Sequence, residues 1–148
     1  VEHQNLLTSD GQQLEADLLA AELRSGESAN GVLVICHPHP LYGGNRFSVV
    51  VDTVFRAAPT LGYHTLRFDF RSAHDHGRAE ILDVLAAIDA IADRHPGLPV
   101  HLIGYSFGAM VALATDDPRV VSIIAIAPPL GMGAEPTPTP VLPVLILS

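Results

Sequence analysis

Gly104-Tyr105-Ser106-Phe107-Gly108 sets a serine between two glycines, with one residue intervening on each side, the spacing at which a weak hydroxyl can be made into a nucleophile. Where an apolar strand turns sharply into a helix, the corner residue is held in a strained conformation that lifts its side chain clear of the sheet. The helix that starts there offers free backbone N–H groups and the positive end of its dipole, so the Phe107 amide is placed to receive the charge of a tetrahedral oxyanion. Glycine is needed at 104 and 108 because a side chain at either would collide with backbone packed against so tight a turn. The pattern predicts attack of Ser106 on an acyl carbonyl. The competing reading is a strand-to-helix turn whose glycines serve packing alone.

The surrounding elements must supply that corner. An apolar run at 100–103 leads into the motif, and Ala109, Met110, Val111 and Leu113 continue it as a short helix. Upstream, loose alternation through Leu6 and Leu7, the Asp10-Gly11 turn and the apolar stretch 14–19 predict an N-terminal hairpin. A polar loop covers 22–30, and the continuous apolar run 32–36 suits a strand buried on both faces. Helix is then expected over 47–58 with a cap at Asn45, strand over 64–70, helix over 79–94, strand over 100–105 and strand over 120–127. In the longest helix Ile81, Leu85, Ile88 and Ile91 recur at helical spacing before His95-Pro96-Gly97 ends it. This alternation predicts an α/β fold, a mainly parallel sheet between helix layers with right-handed crossovers. Pro128-Pro129 and the series Pro136, Pro138, Pro140 read as an irregular connection within one domain.

Composition narrows the chemistry. The chain has 148 residues, 48% apolar and 16% charged, the profile of one soluble globular domain. All 8 of its basic residues are arginine, against 16 acidic residues and a net charge of −8. Without lysine, Schiff-base chemistry, the P-loop and the S-x-x-K nucleophile pair are excluded. Scattered arginines in an acidic background argue against a nucleic acid partner. No apolar stretch is long enough to span a bilayer and no signal peptide is recognisable, so no membrane partner and a cytoplasmic location are expected. The lone Cys36 lies in the 32–36 run and reads as core. Val1 is not a methionine and Ser148 follows directly on the apolar run 141–147, so both ends read as cut.

After the 32–36 strand comes His37-Pro38-His39-Pro40-Leu41-Tyr42-Gly43-Gly44. In chains that activate a serine at such a corner, the second oxyanion N–H comes from the loop in this position. Proline has no N–H, so the donors left are His39 and residues from Leu41 onward, and His39 is the choice. His37, Leu41 and Tyr42 are expected to shape the pocket.

With these pieces in order, the chain resembles the α/β-hydrolase superfamily, specifically small bacterial serine hydrolases carrying an H-P-H-P-x-x-G-G loop. The resemblance rests on 37–44 and 104–108, with Leu66-Arg67-Phe68-Asp69-Phe70-Arg71 and Ala125-Ile126-Ala127-Pro128-Pro129 on neighbouring strands. It implies an antiparallel start to the sheet, a serine nucleophile and an acyl-enzyme formed from a small-molecule ester or thioester, with no cofactor.

The serine also needs a general base and an orienting carboxylate, which in this arrangement follow it in the chain. After Ser106 come Asp116, Asp117 and Glu135 but no histidine. The resemblance places the acid just past the strand that 141–148 matches and the histidine later, so the reading is a domain cut before both, inactive as given. Three rivals stand beside it: a non-catalytic α/β-hydrolase-like binding module; an internal base from His39 or His37 with Asp69; and a metal at His74-Asp75-His76, which reads instead as a solvated loop. A sheet lacking its last strand is expected to self-associate through the unpaired edge.

Overall fold

In the computed structural model, which describes residues 1–129 and 142–148, seven strands form one sheet in the order β1-β2-β4-β3-β5-β6-β7. The strands are β1 Glu2–Leu7, β2 Gln13–Leu19, β3 Gly31–Cys36, β4 Tyr63–Phe68, β5 Val100–Tyr105, β6 Val120–Ile126 and β7 Val144–Leu147. β1 and β2 form the expected hairpin, and β2 also runs antiparallel to β4, while β4, β3, β5, β6 and β7 are mutually parallel. Glu135 and the series Pro136, Pro138, Pro140 lie outside the described residues.

Strand periodicity divides the core. Val32, Val34 and Cys36 point to the face covered by α2 (Glu80–Arg94) and α3 (Phe107–Ala114), where Val84, Ile88, Ile91, Val111 and Ala112 meet them. Leu33 and Ile35 point the other way, onto Val51 and Phe55 of α1 (Val49–Ala57). Because β3 is buried on both sides, its run carries no polar residue, as a central parallel strand requires. Cys36 is fully buried, and burial pushes its thiol far above the ordinary range.

Three boundaries move for local reasons. The expected cap at Asn45 is replaced by Ser48 at the start of α1; the Asn45 Oδ1 instead accepts the Phe47 N–H at 2.8 Å, a turn of its own. That helix ends at Ala57 and passes into a 3-10 turn, Ala58–Leu61, at Pro59, which has no N–H to continue it. β4 ends at Phe68; the Asp69 N–H still donates to Glu15 O of β2 at 2.9 Å, and the amides after it are taken by side chains, Phe70 N–H by His37 Nε2 at 3.0 Å and Arg71 N–H by Asp83 at 2.9 Å.

Candidate active site

β3, β4 and β5 are adjacent and parallel, so the loops after their C-terminal ends meet above one edge of the sheet, where open α/β sheets bind ligands. Ser106 stands between β5 and α3 with φ +53° and ψ −116°. For a residue with a Cβ this conformation is unfavourable, and it persists because both sides of the residue are tied. Its N–H donates to Ile126 O at 2.8 Å, and its carbonyl accepts Ala109 N–H at 3.0 Å and Met110 N–H at 3.2 Å.

The flanking glycines are fixed by contact. A Cβ on Gly104 would lie 2.5 Å from the Ala109 backbone, and one on Gly108 2.5 Å from the carbonyls of Cys36 and His37. Gly108 thus lets α3 press against the end of β3, bringing its first turn beside the 37–44 loop. A Cβ on Gly44 would strike the Pro38 and His39 carbonyls, so the loop closes on itself for the same reason. Among the described residues, neither the Phe107 N–H nor the His39 N–H donates to a protein acceptor.

The two loop histidines differ. His37 is 1% exposed, so it supplies no open pocket wall; it is an internal strut. Its Nε2 accepts the Phe70 N–H, which places the proton on Nδ1, 2.5 Å from Pro38 O, and burial holds its basicity below the ordinary histidine value. His39 is half-buried; its Nδ1 accepts the Leu41 N–H at 3.1 Å, capping a 3-10 turn, Pro40–Tyr42. Its ring centroid lies 5.0 Å from that of Phe107, 4.8 Å from Tyr42 and 4.6 Å from His74. Leu41 and Tyr42 are 66% and 88% exposed beside it, while Phe107 is buried.

Asp69 does not join a histidine. Its carboxylate accepts the Arg46 N–H at 2.8 Å and pairs with the Arg46 guanidinium, which also donates to Asp17 at 3.1 Å. Together with the use of His39 Nδ1 by Leu41, this leaves no carboxylate–imidazole link running from Asp69 to Ser106. No histidine among the described residues hydrogen-bonds the Ser106 hydroxyl.

The 72–79 loop is more ordered than a solvated loop would be. Glu80, fully buried at the start of α2, accepts Asp75 N–H at 3.0 Å and Gly77 N–H at 3.1 Å, while Asp75 accepts Ala79 N–H at 3.1 Å. This reciprocal capping pulls His74 inward to 9% side-chain exposure. The His74 Nδ1 comes within 3.2 Å of Glu80 Oε2 but off the line of a hydrogen bond, and has no hydrogen-bond partner. Arg71 is bound by Asp83 and Asp10 beneath the loop. Sequence reasoning missed Glu80 and the burial of His74; the available signal was a glutamate five residues beyond Asp75 at the head of a helix.

No helix among the described residues is long and apolar enough to cross a membrane. The family model for the alpha/beta hydrolase family matches residues 17–147. A solved structure from Xanthomonas campestris, described as an α/β serine hydrolase without a lid, is 28% identical with a TM-score of 0.87, over 98% of this chain and 69% of that one. A serine hydrolase homologue from Coxiella burnetii is 29% identical with a TM-score of 0.80, over 98% of this chain and 72% of its own. An uncharacterized protein from Rickettsia prowazekii is 35% identical over 108 residues; the match spans 67% of this chain and 45% of that relative.

Proposed function

The chain belongs to the alpha/beta hydrolase family, and from that premise we propose that it is the nucleophile-bearing part of a serine hydrolase acting on an ester or thioester of a small molecule. The observation that carries the reading is the backbone of Ser106, held at φ +53° on the corner between β5 and α3. A strain of about 1–3 kcal/mol at one non-glycine residue is retained where it serves a site. Ser106 attacks the acyl carbon, its Oγ forming the ester bond of an acyl-enzyme as the alcohol or thiol departs with a proton. The Phe107 and His39 N–H groups take the oxyanion charge, and the exposed Leu41 and Tyr42 side chains offer apolar contact to the acyl group.

The general base and its carboxylate come, in this reading, from sequence outside these 148 residues, since no histidine follows Ser106. A fluorophosphonate probe tests it. A chain extended past Ser148 labels, the label maps to Ser106 and Ser106→Ala abolishes it; an extended chain that carries a later aspartate and histidine yet fails to label refutes the proposal. The absence of a histidine partner on the Ser106 hydroxyl among the described residues favours one second reading, a binding module that keeps the pocket without turnover. Retained affinity for an acyl ligand in a chain whose gene ends at Ser148 would establish that reading instead.

A further inference from the structure

His39 enters the proposed mechanism only through its backbone, yet its side chain is engaged by one hydrogen bond and by the rings of Tyr42, His74 and Phe107. Nδ1 accepts the Leu41 N–H, so that nitrogen carries no proton, and an imidazolium could not make this bond. The bond is local: it caps the turn that begins at Pro40, directly after the peptide bearing the His39 N–H.

The ring is also the hinge between two loops. On one side lies Phe107, the first residue of α3; on another lies His74 from the 72–79 loop, with His76 beyond it at 4.8 Å from His74. The charged and titratable groups facing His39 are therefore Tyr42 of its own loop, His74 and His76 of the 72–79 loop, and the buried Glu80 of α2; the first turn of α3 contributes no acidic side chain. A proton on His39 would lose the Leu41 bond and set a cation against two imidazoles. Burial together with His74 and His76 opposes that charge, outweighing the attraction of Glu80, so His39 sits below the ordinary histidine value.

We propose that the His39 imidazole is a positioning residue that holds the 37–44 loop in its uncharged form and releases it on protonation, with His74 as the packing partner that locks the ring in place. The catalytic consequence rests on the proposed role of the His39 N–H as an oxyanion donor; the latch itself does not.

The test is an NMR titration of the labelled chain from pH 8 to pH 5, following the His39 ring nitrogens and the exchange protection of the Leu41 amide. At pH 8 the proton is expected on Nε2, and His39→Ala lowers Leu41 protection by roughly 2–10-fold, the worth of one net hydrogen bond. On acidification the unmodified chain falls to the level of His39→Ala as the ring titrates. His39→Asn, whose Oδ1 can accept the same N–H without titrating, keeps protection at every pH. Equal Leu41 protection in the unmodified chain and His39→Ala, a proton on Nδ1 at pH 8, or protection that survives titration of the ring would each overturn the latch, as would His39→Asn behaving like alanine. A fluorophosphonate arm separates the two proposals. An intact latch without Ser106 labelling in the extended chain refutes the nucleophile but leaves the latch. Labelling that follows the same pH course in the unmodified chain and in His39→Asn refutes the positioning role.

Discussion

The strain at Ser106 can be measured by removing it. With φ +53° and ψ −116°, the residue occupies the conformation of the first central position of a type II′ turn, the mirror image of about (−60°, +120°), where glycine is preferred. Ser106→Ala is the proper reference, since it deletes the hydroxyl but keeps the Cβ that makes the conformation costly. Ser106→Gly removes that cost. The strain is about 1–3 kcal/mol for a residue with a side chain, whereas glycine elsewhere costs roughly 0.5–1 kcal/mol relative to alanine through the freedom it adds to the unfolded chain. The difference leaves the glycine variant at least as stable as the alanine variant, by ~0–2.5 kcal/mol. Neither variant can escape by relaxing, because Ile126, Ala109 and Met110 hold the backbone of residue 106 from both sides. Urea unfolding reads the ordering directly, and for a chain of this size each kcal/mol moves the thermal midpoint by roughly 2–4 °C. A glycine variant less stable than the alanine one, as at an ordinary site, would show that residue 106 carries no stored strain and would remove the observation on which the nucleophile assignment rests.

Three further outcomes follow, two from charge and one from the sheet edge. Arg71→Met removes the guanidinium and its two hydrogen bonds, at 3.0 and 2.8 Å, from the fully buried Asp83 and leaves that carboxylate only the backbone N–H of residue 71 at 2.9 Å. The loss is expected to be about 3–5 kcal/mol near neutral pH, and smaller in mild acid because burial already favours the protonated carboxyl of Asp83; a loss that does not change with pH refutes the account. The same variant frees Asp10, which the Arg71 guanidinium holds at about 2 rather than 3.8. That pairing favours the fold at pH above the unfolded value of 3.8 and fades as pH falls through about 2, so a carboxyl NMR titration of Asp10 should move back toward 3.8 in Arg71→Met. At the other side of the sheet, β7 leaves Leu145, Ile146 and Leu147 at 53%, 49% and 44% exposure. We propose that two copies of this 148-residue chain pair there, so that size-exclusion elution depends on concentration and Ile146→Lys restores the monomer; a concentration-independent monomer refutes it.

What could be read from the sequence, and what could not, divides by the range of the force involved. The corner at Ser106 was legible because everything that makes it is local: an apolar run, two glycines four residues apart and a helix start, each excluding the alternatives by sterics. The mainly parallel order was legible for the same kind of reason, as was the adjacency of β3 with β4 and β5, which the resemblance implied. Asp69 was not. As a residue in the chain it is a free carboxylate at a strand end, and only the fold supplies Arg46, 23 positions earlier, to occupy it. The arginines read as scattered for the same reason; Arg67 and Arg71 are 3% and 5% exposed and serve as internal counter-ions to aspartates 50 and 61 positions away. His74 shows the converse error. Its polar neighbours suggested solvent, but Glu80 binds two amides of that loop and turns the ring inward against His39 and Phe107. A loop of polar residues is solvated only if water is the best partner its amides can find, and a buried glutamate at the head of the next helix is a better one. The geometry around Ser106 therefore depends on two kinds of information, the sterics that place the residue and the long-range pairing that decides which nearby carboxylates and imidazoles are already taken.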